Sequence, residues 1–149
     1  MTEFHTPYRG GFVGSEHRFA LTVYFEDTDT AGVVYYANYL KFMERARSDM
    51  IRAVGVDQGA ALRSDGSAYF VTEVNIKYRK PARLGDDLIV VSTVEAVRAA
   101  SVDIHQQVIR GTEQLTDARV TAAYLDRDGR PQRQPRDWVE RFNAIMAGK

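Results

Sequence analysis

Between Glu26 and Tyr36 the chain reads E-D-T-D-T-A-G-V-V-Y-Y, placing the carboxylates of Glu26, Asp27 and Asp29 in a turn just before a run of apolar residues at helical spacing. A helix N-terminus carries unpaired backbone N–H groups and about half a positive charge, so it favours an ionised acid beside it. The same amides can hold the oxygen of a polarised carbonyl. One short segment therefore offers a base or nucleophile together with an oxyanion site, the two groups needed to attack an activated carbonyl.

The elements on either side must hold that turn. Residues 17–25 alternate Phe19, Leu21, Val23 and Phe25 with Arg18, Ala20, Thr22 and Tyr24, the period of a half-buried strand. Residues 36–54 put Tyr36, Tyr39, Leu40, Met43, Ala46, Met50 and Val54 on one stripe, predicting a helix about 28 Å long that Gly55 ends. Residues 57–63 predict one more helical turn before the Ser64-Asp65-Gly66 break. Four strand-like runs follow, over 68–80, 88–99, 102–110 and 115–126. The breaks at 81–86, 100–101 and 111–114 are too short for crossover helices, so neighbouring strands are expected to pair antiparallel. A turn at Asp128-Gly129 leads to a last helix with Trp138, Phe142, Ile145 and Met146 on one face. The pattern predicts an α+β domain over 17–149, its antiparallel sheet curled round one long helix. Residues 1–16, with Gly10, Gly11 and Gly14, are expected to form a flexible arm.

Composition narrows the function. The chain has 149 residues, 44% of them hydrophobic and 27% charged, with a formal net charge of zero. It is long enough to bury a proper core. Its charge balance argues against a global nucleic-acid or membrane-surface role. Without cysteine there is no disulfide, thiol nucleophile or thiolate metal site, which fits a cytoplasmic protein. The G-x-S-x-G elbow, the P-loop, the Rossmann glycine pattern and H-E-x-x-H are all missing.

The stretch V-Y-F-E-D-T-D-T-A-G-V-V-Y-Y-A-N-Y-L-K-F-M-E-R-A-R-S-D-M, from Val23 to Met50, resembles the hotdog-fold acyl-CoA thioesterases. Within them it is similar to the YbgC-type enzymes associated with the Tol-Pal system, relatives of the 4-hydroxybenzoyl-CoA thioesterases. A second stretch, N-I-K-Y-R-K-P-A-R-L-G-D-D-L from Asn75 to Leu88, resembles the same group, and the likeness spans about 17–146. The resemblance implies a hotdog protomer that pairs edge to edge into a homodimer or homotetramer, with active sites at the subunit interface. It implies that Asp29 is the catalytic acid and that the amide near Tyr36 polarises the thioester carbonyl, with Gly32, Val33 and Val34 against the substrate. The chain has Tyr36 where YbgC-type enzymes usually have histidine, and Phe25 where they usually have tyrosine. Tyr36 resembles the hydroxybenzoyl-CoA branch instead.

A thioester is already activated, so one carboxylate and one fixed N–H donor can suffice. Asp29 either attacks the carbonyl or activates water. Arg79, Lys80 and Arg83 flank Pro81, where cations can meet the phosphates of coenzyme A. Asp27, Glu26 and Asn38 read as structural, as does Glu73, and Asp103 with His105 form at most a weak dyad. Hotdog dehydratases need a placed histidine, but His5, His17 and His105 lie outside the turn and helix. The expected activity is hydrolysis of a short-chain or aromatic acyl-CoA, with no cofactor or metal. The rival reading is a catalytically weak acyl-binding or adaptor protein that engages acyl carrier protein or an envelope-linked complex.

Overall fold

The computed structural model describes residues 3–149. A short strand β1 (Gly11–Val13) turns back into β2 (Glu16–Thr22). A 3-10 turn over Phe25–Asp27 and the acidic loop lead to the central helix α1 (Asn38–Val54) and a shorter helix α2 (Gln58–Asp65). Strands β3 (Ala68–Tyr78), β4 (Asp87–Val97), β5 (Ser101–Arg110) and β6 (Glu113–Leu125) follow, and α3 (Arg136–Met146) comes last. The sheet runs in the order β1-β2-β4-β5-β6-β3, with every pairing antiparallel.

Helix α1 lies on the sheet because its buried residues recur at helical spacing: Tyr39, Met43, Ala46, Met50 and Val54, joined by Phe42, Arg47 and Ile51. Leu40, expected on the stripe, is 40% exposed. Its first half packs with Phe19, Leu88, Val90, Leu115 and Val120 in one core cluster. Its second half meets Val94, Val102, Ile104 and Phe142 in another, so α3 caps the far end of the same helix. Gly55 ends α1 at φ 99°, a left-handed conformation that suits glycine.

Three expectations need correction. Strand β2 stops at Thr22 and Phe25 is 80% exposed, because the chain leaves the sheet to form the 3-10 turn. Consecutive strands β3 and β4 do not pair, since β5 and β6 lie between them. Their short connection suffices because the sheet curls, and Ala82, fully buried, carries the chain across under the Tyr39 hydroxyl, which accepts its N–H at 2.9 Å. Finally, the stretch expected to be a loose arm is tied to the sheet over its described residues. Gly11 to Val13 pair with β2, the Tyr8 hydroxyl accepts the Ala20 N–H, and Asp49 Oδ2 accepts the Gly10 N–H. Residues 1 and 2 of that arm lie outside the described residues.

Bulges set the curl and the facing of side chains. In β3 the register against β6 shifts between Val71 and Glu73, leaving Thr72 as the extra residue. Tyr69 and Val71 oppose the buried Tyr124 and Ala122, and beyond the bulge Val74, Ile76 and Tyr78 oppose the buried Val120, Ala118 and Thr116. Glu73 opposes Thr121 on the outer face.

Candidate active site

The acidic turn is folded by its own polar groups. Asp27 Oδ2 accepts the Tyr24 N–H at 2.9 Å, and the Asp27 carbonyl accepts both the Tyr35 N–H and the Asn38 side-chain amide. Both residues are thus committed to structure, as the sequence implies. Asp29 N–H donates to the Val33 carbonyl, its own carbonyl accepts from Gly32, and its Oδ1 accepts the Ala31 N–H at 2.8 Å. Gly32 sits at φ 76° with open space around it, so the turn selects glycine for conformation and not for room. The second carboxylate oxygen of Asp29 has no partner among the described residues, and the side chain is exposed.

The loop is then clamped to the connection between β3 and β4. Val34 N–H donates to the Ala82 carbonyl, Leu84 N–H to the Gly32 carbonyl, and Val33 pairs with Arg83 in an isolated bridge. Gly32, Val33, Val34 and Arg83 therefore meet through their backbones. Tyr36 lies two residues before α1, where a helix from residue 36 had been expected. Its carbonyl accepts the Tyr78 hydroxyl at 2.9 Å. Its N–H makes no hydrogen bond among the described residues.

A cleft of about 280 Å³ opens beside that segment, lined by Val34, Tyr36, Tyr39 and Tyr78 together with Arg79, Lys80 and Pro81. The rings form one wall, with Tyr78 edge-on to Tyr36 at 6.4 Å and to Tyr39 at 5.5 Å. Burial pushes the Tyr39 phenol above its ordinary value, partly offset by the Ala82 amide, and burial likewise raises Tyr78. Neither phenol is an acid–base group near neutral pH. The cleft gathers four of the expected site residues, while Asp29, Gly32, Val33 and Arg83 lie outside its lining. Two larger hollows, about 540 and 570 Å³, are lined by other residues.

The three cations differ. Lys80 Nζ is 3.0 Å from Glu113, and Arg79 is 4.0 Å from Asp117, whereas the Arg83 guanidinium makes no ion pair among the described residues. Tyr39, Tyr78 and Pro81 are the lining residues outside the expected site, and of these Tyr78 was not singled out at all. Its signal was present as an aromatic at the end of a strand run, but the bulge hid which face it takes. Asp103 and His105 do not act together: Asp103 holds Arg98 and Thr121, and His105 pairs with Asp117. Among the described residues no group of three or more acidic, histidine or cysteine side chains could hold a metal.

Residues 23–143 match the family model of the Thioesterase-like superfamily, and the chain belongs to that family. Its antiparallel sheet curled on one central helix is the hotdog fold of those enzymes. Among individual relatives, it is similar to the acyl-CoA thioesterase YbgC of Haemophilus influenzae, 39% identical over 72% of this chain and 79% of that one. The acyl-CoA thioester hydrolase YbgC of Escherichia coli O6:H1 is 34% identical over 84% of this chain and 94% of its own. The crystal structure of a probable thioesterase from Bartonella henselae superposes with a TM-score of 0.77 at 30% identity, covering 80% of this chain and 99% of that one.

Proposed function

We propose that this protein hydrolyses short-chain or aromatic acyl-CoA thioesters, with Asp29 as nucleophile or general base and the Tyr36 N–H as oxyanion donor. The observation that carries the reading is the Tyr36 amide, without a hydrogen bond among the described residues, beside an aromatic-walled cleft, following the turn in which one Asp29 carboxylate oxygen has no partner among those residues. As nucleophile, Asp29 adds to the carbonyl carbon, the C–S bond breaks, the coenzyme A thiolate takes a proton, and water then cleaves the mixed anhydride. As base, it removes a proton from water, whose oxygen forms the new C–O bond; the C–S bond then breaks and the coenzyme A thiolate takes the proton back. In both routes the tetrahedral oxyanion gains a hydrogen bond from the amide, a contribution of typically about 3 kcal/mol.

Coenzyme A phosphates are assigned to Arg79, Lys80 and Arg83, of which Arg79 and Lys80 line the cleft and Arg83 makes no ion pair among the described residues. A carrier-protein substrate presents the same phosphopantetheine thioester. No helix among the described residues is long and apolar enough to cross a membrane, and the reading places the protein in the cytoplasm, where coenzyme A thioesters are made. It also takes the working form to be a homodimer or homotetramer, supported by the long unpaired edge of β3.

Thiol release over a graded panel of short, long and aromatic acyl-CoA substrates tests the activity. Turnover on the short or aromatic members, lost in Asp29→Asn, is the expected result. Binding of acyl-CoA without thiol release across the whole panel would replace hydrolysis with the adaptor reading.

A further inference from the structure

Helix α1 buries an arginine that the proposed chemistry does not use. Arg47 is 8% exposed, and its Nη1 donates to Gln106 Oε1 at 2.9 Å. That neutral acceptor is its one hydrogen bond among the described residues, and no carboxylate lies within ion-pair distance. Gln106 is itself saturated, since its amide nitrogen donates to the Met43 carbonyl and to Ser92 Oγ. Arginines are rarely buried without an anionic partner, because desolvating the charge is costly. Burial accordingly lowers the pKa of Arg47, with Glu44 the one charge acting against that shift.

The spare N–H groups have somewhere to point. A cavity of about 210 Å³ between α1, α2 and the strands β3 and β6 is lined by Arg47 together with Ile51, Tyr69, Val71 and Ala122, with Gln58 and Glu44 among its polar residues. Only His17 Nδ1 and Thr116 Oγ1 are both sealed and unpaired among the described side chains, so the spare guanidinium nitrogens are not sealed, and Arg47 is among the residues that line this space. A fork of N–H donors matches the two oxygens of a carboxylate, and apolar walls match a hydrocarbon body.

We propose that the Arg47 cavity binds a small apolar monocarboxylate, its carboxylate on the guanidinium and its tail against Ile51, Val71 and Ala122. At about 30 Å³ per water the space equals roughly seven waters, the size class of an acid with about four to seven carbons. Free acids of this class are what the proposed hydrolysis releases, so the physiological meaning rests on that reading. The binding itself does not, and it is measured without turnover.

Titration of the full chain with benzoate, followed by calorimetry and by amide shifts at Ile51, Val71 and Ala122, should show one saturable site per chain. Benzamide, equal in shape but neutral, and inorganic phosphate, charged but without a tail, should each bind at least tenfold more weakly. Arg47→Met should weaken benzoate at least tenfold, while Glu44→Gln, which removes the negative charge acting on Arg47, should tighten it. Should Arg47→Met not fold, Ala122→Leu fills the cavity with the arginine in place and should give the same loss. No saturable benzoate binding, equal affinity for benzamide, or an Ala122→Leu protein that binds as well as the parent would overturn the proposal. Retained benzoate binding in an Asp29→Asn protein that no longer releases thiol would separate this site from the catalytic one.

Discussion

At the level of single residues, the proposed mechanism gives Asp29 two duties in one carboxylate: Oδ1 closes its turn on Ala31, and the other oxygen does the chemistry. Asparagine reproduces the first and loses the second. Asp29→Asn is therefore expected to keep the thermal midpoint within about 2 °C of the parent, which for this size is under about 1 kcal/mol, while thiol release falls by more than about 100-fold. Unchanged turnover in a folded variant would remove Asp29 from the mechanism. In the proposed mechanism the working group at residue 36 is the backbone, so Tyr36→Phe should leave kcat within about threefold, read in the same assay. A large loss there would mean the phenol itself takes part. Arg83→Ala should raise KM for coenzyme A thioesters with little change in kcat, since a phosphate contact is made equally in ground and transition states. The acidic turn was legible in the sequence because D-x-D-x-x-G fixes turn chemistry locally. Tyr78 and Arg47 were not, because one depends on a bulge and the other on what a helix face meets across the core.

Elements show the same division between local and distant information. Every helix and the four long strands after α1 follow from periodicity, with ends moved by a few residues. The pairing of β3 with β6 does not, since a short connection looks like a hairpin until the sheet's curl brings distant strand ends together. The first strands carry a further device: His17, fully buried on β2, meets Asp49 of α1 at 2.8 Å, and the same Asp49 oxygen holds the Gly10 N–H beside β1. Burial lowers the His17 pKa below 6.5, and Asp49 opposes the shift only in part. The unfolded chain then binds the proton more readily than the folded one. Stability is full above about pH 6.5 and declines as pH falls through that value toward the folded pKa, with a slope of at most about 1.4 kcal/mol per unit. Urea midpoints between pH 7.5 and 5.5 should show this decline, and His17→Gln should flatten it. Equal slopes in both proteins would assign the pH response to other groups.

For the whole molecule, the two ends of the sheet are finished differently. One is closed by three-residue β1, whereas the other is eleven-residue β3, with Phe70 61% exposed and a full row of backbone groups unpaired. Such an edge is a template for a second strand. Val74→Pro, which takes an N–H from the free side of β3, should disrupt pairing between copies and shift the sedimenting species toward monomer with loss of thiol release. A variant that stays oligomeric and active would place the contact elsewhere. Which long strand ends the sheet was not written in any local pattern, because every long strand looks alike until the sheet order is known.

Thr72 gives β3 a change of parity: before it the odd-numbered positions look toward α1, and after it the even-numbered ones do. The strand therefore behaves as two separately phased halves, one serving the Arg47 cavity and the other carrying Tyr78 to the cleft. Excising that single residue would leave a regular ladder, with Tyr78 still opposite Thr116 on the α1 side, and would take away only the local bend and added twist that the bulge supplies. The bulge is consequently the one point at which β3 can lose a single residue without turning any paired side chain over.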